Sequence, residues 1–126
     1  MSDELIALTE DLITSIAEAD WETYESLCDP TITAFEPESR GHLVDGLAFH
    51  RFYFDLGSSD IPRQTSLLNP IVRMLGDDAA VVCYTRLVQT LDDAGSPISV
   101  TYEETRVWER QDGDWKHVHF HRSPCA

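Results

Sequence analysis

The chain has 126 residues and a formal net charge of −14 at pH 7, and 42% of its residues are hydrophobic. Its length predicts a single domain over residues 1–126 with a core of its own. The acidic balance excludes nucleic acids and anionic membranes as expected partners, because basic surfaces bind both. The sequence contains no apolar run of membrane-spanning length and no basic segment of the kind that opens a secretory signal. Three cysteines without metal-ligand spacing predict a reduced, cytoplasmic protein with no metal or other cofactor.

The first half of the chain predicts three helices. Apolar residues recur at three- and four-residue spacing over residues 4–20, which is typical of a helix with one buried face. Residues 20–28 predict a second, short helix with Asp20 as its N-cap. After a short strand over residues 31–35, a strongly aromatic third helix is predicted over residues 47–56.

The second half predicts four long strands, over residues 64–75, 79–91, 98–110 and 115–122. Helices followed by consecutive antiparallel strands indicate an α+β fold. We therefore expect three N-terminal helices packed on one face of a strongly curved, mostly antiparallel sheet. Such a sheet with helices across its mouth forms a cone that encloses a pocket.

The turn between the last two strands decides which of their side chains share a face. A two-residue loop of Asp112 and Gly113 places Arg106 on the face opposite Arg122. A three-residue loop that ends with Gly113 in the left-handed conformation places both arginines on one face. We favour the three-residue loop and expect a shared inner face.

Three arginines from adjacent strands are then expected on one concave surface. A three-residue loop that ends at Gly95 pairs its two strands in even register, so Arg86 joins Arg106 and Arg122. The other polar members of this surface are Tyr84, Tyr102 and Glu104. Arginine keeps its charge, so several buried arginines require anions, and one or two acids leave surplus positive charge. Either Glu104 and a neighbouring acid provide the anions, in a structural network, or a ligand carboxylate or phosphate does.

Consecutive motifs in the chain resemble one known family. They are Cys28-Asp-Pro-Thr-Ile-Thr-Ala-Phe-Glu-Pro-Glu, Phe49-His-Arg-Phe-Tyr-Phe, Leu68-Asn-Pro, Glu103-Glu-Thr-Arg-Val-Trp, Arg110-Gln-Asp-Gly-Asp-Trp and Val118-His-Phe-His-Arg-Ser. They closely resemble the association (hub) domain of calcium/calmodulin-dependent protein kinase II, over nearly the whole chain. The resemblance implies the nuclear-transport-factor-2-like, or SnoaL-like, cone fold.

The resemblance also implies a function. It implies a non-catalytic oligomerisation domain that forms dimers stacked into ring-shaped assemblies, with a pocket for small carboxylates such as γ-hydroxybutyrate-like compounds. The predicted ligand-binding residues are His50, Tyr84, Arg86, Glu104, Arg106 and Arg122. The arginines also follow from the strand pattern, whereas His50 enters through the resemblance alone. The 126-residue sequence contains no kinase domain, so we expect no phosphorylation activity.

An enzymatic alternative stays open. SnoaL-like relatives include isomerases, cyclases and dehydratases that place a catalytic pair in the cone. In this chain, His50 with Tyr53 or Tyr84 could act as general acid and base while the arginines hold an anionic substrate.

The last strand carries three alternating histidines, His117, His119 and His121, in line with Trp115. Alternate residues of a strand project from the same face and can supply metal ligands, but the sequence does not place a cluster of cysteines or carboxylates beside them. We predict that this row lies on the outer face of the sheet and contacts a partner.

Overall fold

The computed structural model describes residues 2–125. Its elements in chain order are α1 (Ser2–Ala17), α2 (Trp21–Leu27), β1 (Cys28–Phe35), a 3₁₀ helix (Pro37–Ser39), β2 (Val44–Asp45), α3 (Ala48–Asp55), β3 (Gln64–Met74), β4 (Ala79–Leu91), β5 (Pro97–Gln111) and β6 (Asp114–Pro124). None of the helices within residues 2–125 combines the length and apolar character that crossing a membrane requires.

The three predicted helices are present. Asp20 caps α2 as predicted, because its carboxylate accepts a hydrogen bond from the Thr23 backbone N–H at 3.2 Å. Strand β1 begins at Cys28, three residues earlier than predicted, because α2 ends at Leu27. The two-residue strand β2 was not predicted, since so short a segment shows no periodicity.

The six strands form one mixed sheet in the order β2-β1-β6-β5-β4-β3. All neighbouring pairs are antiparallel except β1 and β6, which are parallel. The α+β prediction of three helices on a mostly antiparallel sheet is therefore confirmed.

The helices cover one face of the sheet, which we call the inner face. Trp108, which is fully buried on β5, donates a hydrogen bond from Nε1 to Thr9 Oγ1 of α1 at 3.2 Å. Trp115 of β6 donates from Nε1 to Glu4 Oε1 at 3.1 Å. The core between helices and sheet includes Leu5, Leu12, Tyr24, Ile32, Val82 and Phe120. The opposite face of the sheet, the outer face, carries no helix of the described chain.

The turn between β5 and β6 differs from the prediction. Gln111 opposes Asp114, so the loop contains two residues, Asp112 and Gly113. Both have positive φ angles, 52° and 88°, as a type I′ turn requires. The three-residue loop was wrong because an Asp-Gly pair satisfies both left-handed positions by itself.

A β-bulge in the same hairpin reverses the consequence of this shorter turn. Trp108 opposes His117, whereas its neighbour Val107 opposes His119, which leaves Val118 as an extra residue in β6. An extra residue exchanges the two faces of a strand beyond that point. Side chains of β6 after the bulge therefore lie on the opposite face from the one that the turn alone would give them.

The predicted shared face of Arg106 and Arg122 is therefore confirmed, although the bulge produces it instead of the turn. Arg122 opposes Glu104, which lies two residues from Arg106 on the same strand face.

The hairpin between β4 and β5 agrees with the prediction. The Asp92 N–H donates to the Ser96 carbonyl at 2.8 Å, which closes a three-residue loop that ends at Gly95 with φ 81°. The register is even, and Arg86 opposes Tyr102. All three predicted arginines consequently share the inner face.

The prediction that the three histidines share the outer face was wrong, because the same bulge separates them. His117 lies before it and is fully buried on the inner face, where its ring packs against Trp108 and Phe120. His119 and His121 lie after it and contact Phe35 of β1 on the outer face. The three histidines do not share a face, and residues 2–125 contain no group of three or more histidine, cysteine or acidic side chains placed to hold a metal ion.

Candidate functional site

A cavity of about 390 Å³ lies between the helices and the inner face of the sheet. Strands β4, β5 and β6 supply one wall, and Tyr24 of α2 with His50 and Phe54 of α3 lies on the other. The arginine and glutamate residues in its lining are Arg63, Arg86, Arg106, Arg122, Glu36 and Glu38. A concave, partly apolar space with convergent polar groups is the usual form of a ligand site.

The deepest part of this wall is a network centred on Glu104, which is 2% exposed. Arg106 Nη2 donates to its Oε1 at 3.0 Å and Arg86 Nη1 donates to its Oε2 at 3.2 Å. Tyr84, directly opposite on β4, donates its hydroxyl hydrogen to Oε1 at 2.5 Å and accepts from Arg106 Nε at 2.8 Å. Alternation along two paired strands places all four side chains on the inner face.

The charges in this network determine its ionisation. Burial alone raises the pKa of Glu104, but the charges of Arg106 and Arg86 outweigh burial and hold that pKa below its usual value. Burial raises the pKa of Tyr84 to about 12, so its hydroxyl stays protonated and acts as a donor. Burial lowers the pKa of Arg86, but a guanidinium remains charged in proteins. Two cations therefore face one buried anion.

A second network lies where β1 leaves the sheet. Arg122 Nη2 donates to both carboxylate oxygens of Glu38 and lies 3.8 Å from Glu36 Oε1. Glu36 also pairs through Oε2 with His50 Nε2. Together the two networks contain three carboxylates and three arginines, so their formal charges balance. The surplus positive charge that we expected from one or two acids is therefore limited to Arg63, and to His50 when it is protonated.

Three nitrogen atoms of the cavity lining are buried without a hydrogen-bond partner among the described residues. They are Arg86 Nε, Arg106 Nη1 and His50 Nδ1. Buried polar groups are nearly always paired, and an unpaired donor is costly. These atoms belong to residues that line the cavity, and their capacity as donors is unused.

The structure brings together all six residues predicted as ligand-binding. His50, Arg86, Arg106 and Arg122 line the cavity, and Tyr84 and Glu104 hold two of the arginines from beneath. Sequence reasoning did not assign Glu36 and Glu38 to the site. The only available signal was their presence in a motif shared with the resembled family.

A buried histidine lies on the same inner face, beside the cavity wall. His117 has its ring centroid 5.1 Å from that of Trp108 and 5.6 Å from that of Phe120. Burial, followed by the charge of Arg106, holds the pKa of His117 well below its usual value of 6.5. His117 is therefore neutral in the folded protein.

This neutral histidine should make the protein sensitive to acid. Below about pH 6.5 the unfolded chain binds a proton at His117 that the folded chain does not, so the free energy of unfolding falls as pH falls. We expect His117→Gln to remove up to about 1.4 kcal/mol of that loss per pH unit. Urea unfolding at several pH values measures the slope. His121→Gln, on the exposed outer face, is the control, and equal slopes for wild type and His117→Gln would contradict the assignment.

Comparisons with known proteins agree with this architecture. The calcium/calmodulin-dependent protein kinase II association domain family matches residues 1–126. The delta subunit of calcium/calmodulin-dependent protein kinase type II from Oryctolagus cuniculus is 52% identical over 122 residues, which are 95% of this chain and 23% of that protein. The chain thus spans less than a quarter of the length of that relative.

Solved structures of related domains share the fold. The association domain of the Caenorhabditis elegans kinase is 44% identical with a TM-score of 0.91, over 96% of this chain and 93% of that chain. The hub homology domain of Chlamydomonas reinhardtii is 46% identical with a TM-score of 0.91, over 98% of both chains. A nuclear-transport-factor-2-like protein from Salmonella enterica, 22% identical with a TM-score of 0.79 over 99% of this chain and 91% of that chain, shares the fold. The chain therefore belongs to the calcium/calmodulin-dependent protein kinase II association domain family, a family of oligomerisation domains with the nuclear-transport-factor-2-like fold.

Proposed function

We propose that this chain is a non-catalytic association module that assembles with copies of itself and binds a small carboxylate in its cavity. Membership of an association-domain family supports the first part, and the uncovered outer face of the sheet is the observation that carries it. We propose dimers stacked into a ring as the form of the assembly. We also propose a cytoplasmic location, since the cysteines of the described chain are free.

The outer face is apolar at its centre. One uncharged row of this face consists of Ile71, Cys83 and Thr105 on β3, β4 and β5, whereas Arg73 and Glu103 lie on the same face in the two adjacent rows. Ile71 is 68% exposed, although it lies in the middle of a strand. We call the row of Ile71, Cys83 and Thr105 the uncharged strip, and exposed apolar surface of this kind marks interaction sites.

The cavity supports carboxylate binding through its unpaired donors. Arg86 Nε, Arg106 Nη1 and His50 Nδ1 are all donors or can become donors, and they belong to residues that line one space. A small carboxylate offers several acceptor sites together with a negative charge that guanidinium groups pair well. A cavity of about 390 Å³ lies at the small end of the range of ligand pockets and has room for a small carboxylate.

We expect 4-hydroxybutyrate to stabilise the protein and to leave a discrete assembly intact. A ligand that binds the folded state raises the free energy of unfolding by about 2.7 kcal/mol at 100 times its Kd. Native mass spectrometry over a range of concentrations, together with thermal unfolding with and without the ligand, measures both effects. The mass should be a fixed multiple of the 14.3 kDa chain. A monomer at all concentrations would contradict the association, and an unchanged melting temperature would contradict the binding.

Matched arginine variants separate specific binding from a general salt effect. Arg86→Gln removes a cavity guanidinium, so it should abolish the ligand-dependent rise in melting temperature. Arg51→Gln removes an exposed arginine of α3 and should preserve that rise. Equal responses of the two variants would place the ligand elsewhere.

The enzymatic alternative can be distinguished from this proposal. It requires His50 to exchange protons with a bound substrate, and the pairing of Nε2 with Glu36 leaves Nδ1 for that contact. A carboxylate that binds and is recovered unchanged after prolonged incubation supports the association module. Conversion that is lost in His50→Ala supports the enzyme.

A further inference from the structure

We infer that Glu38 is a built-in competitor of the carboxylate ligand: it occupies Arg122 in the empty site and leaves when the ligand binds there. The inference rests on the proposed binding of a carboxylate in the cavity. It assigns to Glu38 a role in setting the affinity of that site.

Glu38 already makes the contact that a carboxylate ligand would make. Both of its carboxylate oxygens accept from Arg122 Nη2, and the residue lies at the centre of the 3₁₀ helix Pro37–Ser39. The side chain of Arg122 is 14% exposed and lines the cavity. A guanidinium so enclosed needs an anion at all times, and Glu38 supplies it from within the chain.

Of the three carboxylates in the two networks, that of Glu38 is the most easily released. The Glu104 side chain is 0% exposed and is held by two arginines and a tyrosine. The Glu36 side chain is 7% exposed and is paired with His50. The Glu38 side chain is 35% exposed, so water can solvate it when it turns away from Arg122. An incoming carboxylate then keeps Arg122 paired throughout the exchange.

A second guanidinium of the cavity, that of Arg86, packs on the same tyrosine ring as Arg122. The Cζ atoms of Arg122 and Arg86 lie 4.8 Å and 5.7 Å from the centroid of the same Tyr102 ring. Arg86 Nε has no hydrogen-bond partner among the described residues. Both arginines line the cavity, and of the two, Glu38 pairs with Arg122.

Removal of the competing charge should strengthen binding. We expect Glu38→Gln to lower the Kd for 4-hydroxybutyrate about tenfold, because the ligand no longer displaces a charged hydrogen-bond partner. Isothermal titration calorimetry on the full chain measures the Kd of each variant. Glu25→Gln, at an exposed position of α2, makes the same change in net charge and should leave the Kd unchanged.

The outcomes of this experiment are distinct. A Kd for Glu38→Gln that equals or exceeds a measurable wild-type Kd overturns the role of Glu38 and leaves the proposed binding in place. A tenfold gain in both Glu38→Gln and Glu25→Gln overturns it as well, because net charge then explains the change. No binding by any of the three proteins overturns the proposed carboxylate site and this inference with it.

Discussion

Replacement of Glu104 by glutamine should lower the free energy of unfolding by about 3–5 kcal/mol. Glutamine has nearly the same shape, but it removes the anion that Arg86 and Arg106 share. Arg106 is 1% exposed, so its charge would remain buried without a paired carboxylate. Urea unfolding at one fixed protein concentration measures the loss, because the stability of an assembling protein depends on concentration.

An exposed glutamate of α2 provides the control for this experiment. Glu25 lies away from the sheet, so Glu25→Gln should change the free energy of unfolding by less than about 0.5 kcal/mol. Similar losses for the two variants would show that Glu104 does not hold the arginine pair. A large loss confined to Glu104→Gln would assign the effect to the buried charges.

The arginine surface was predictable because strand alternation is a local property of the sequence. Arg86, Arg106 and Glu104 follow from period-two spacing and one hairpin of even register. The position of Arg122 was predicted for the wrong reason, since the type I′ turn and the bulge at Val118 each shift the register by one residue. Two such shifts return the residues beyond the bulge to the predicted face. His117 lies before the bulge and is affected by the turn alone, which explains why the predicted face of the histidine row was wrong.

Glu36 and Glu38 were not predictable from local pattern. They reach the site because β1 pairs in parallel with β6, with Phe35 opposite His121, so that the residue after Phe35 lies beside Arg122. A parallel pair between segments more than eighty residues apart in the sequence leaves no trace in hydrophobic periodicity. The role of His50 was not predictable from local pattern either. A single polar residue on an aromatic helix gives the same sequence pattern whether or not its side chain contacts a site.

The outer face could be predicted only in part. Alternation in β4 identifies the odd-numbered residues as the face away from the core, and their moderate hydrophobicity does not distinguish a wet surface from an interface. The structure adds that paired residues on β3 and β5 extend the same uncharged strip, from Ile71 through Cys83 to Thr105. Cys83 lies at the middle of this row and is exposed.

We expect Cys83→Glu to dissociate the assembly. An exposed strand position tolerates glutamate in a monomer, but an interface over the outer face would bury its charge without a partner, at a cost of about 3–5 kcal/mol. The dissociation constant should rise by at least about a hundredfold, which sedimentation velocity over a dilution series can measure. Thr14→Glu adds the same charge on the exposed side of α1 and should leave the sedimentation profile unchanged. If Cys83→Glu sediments like wild type, copies of the chain associate through another surface, and the uncharged strip has a different role.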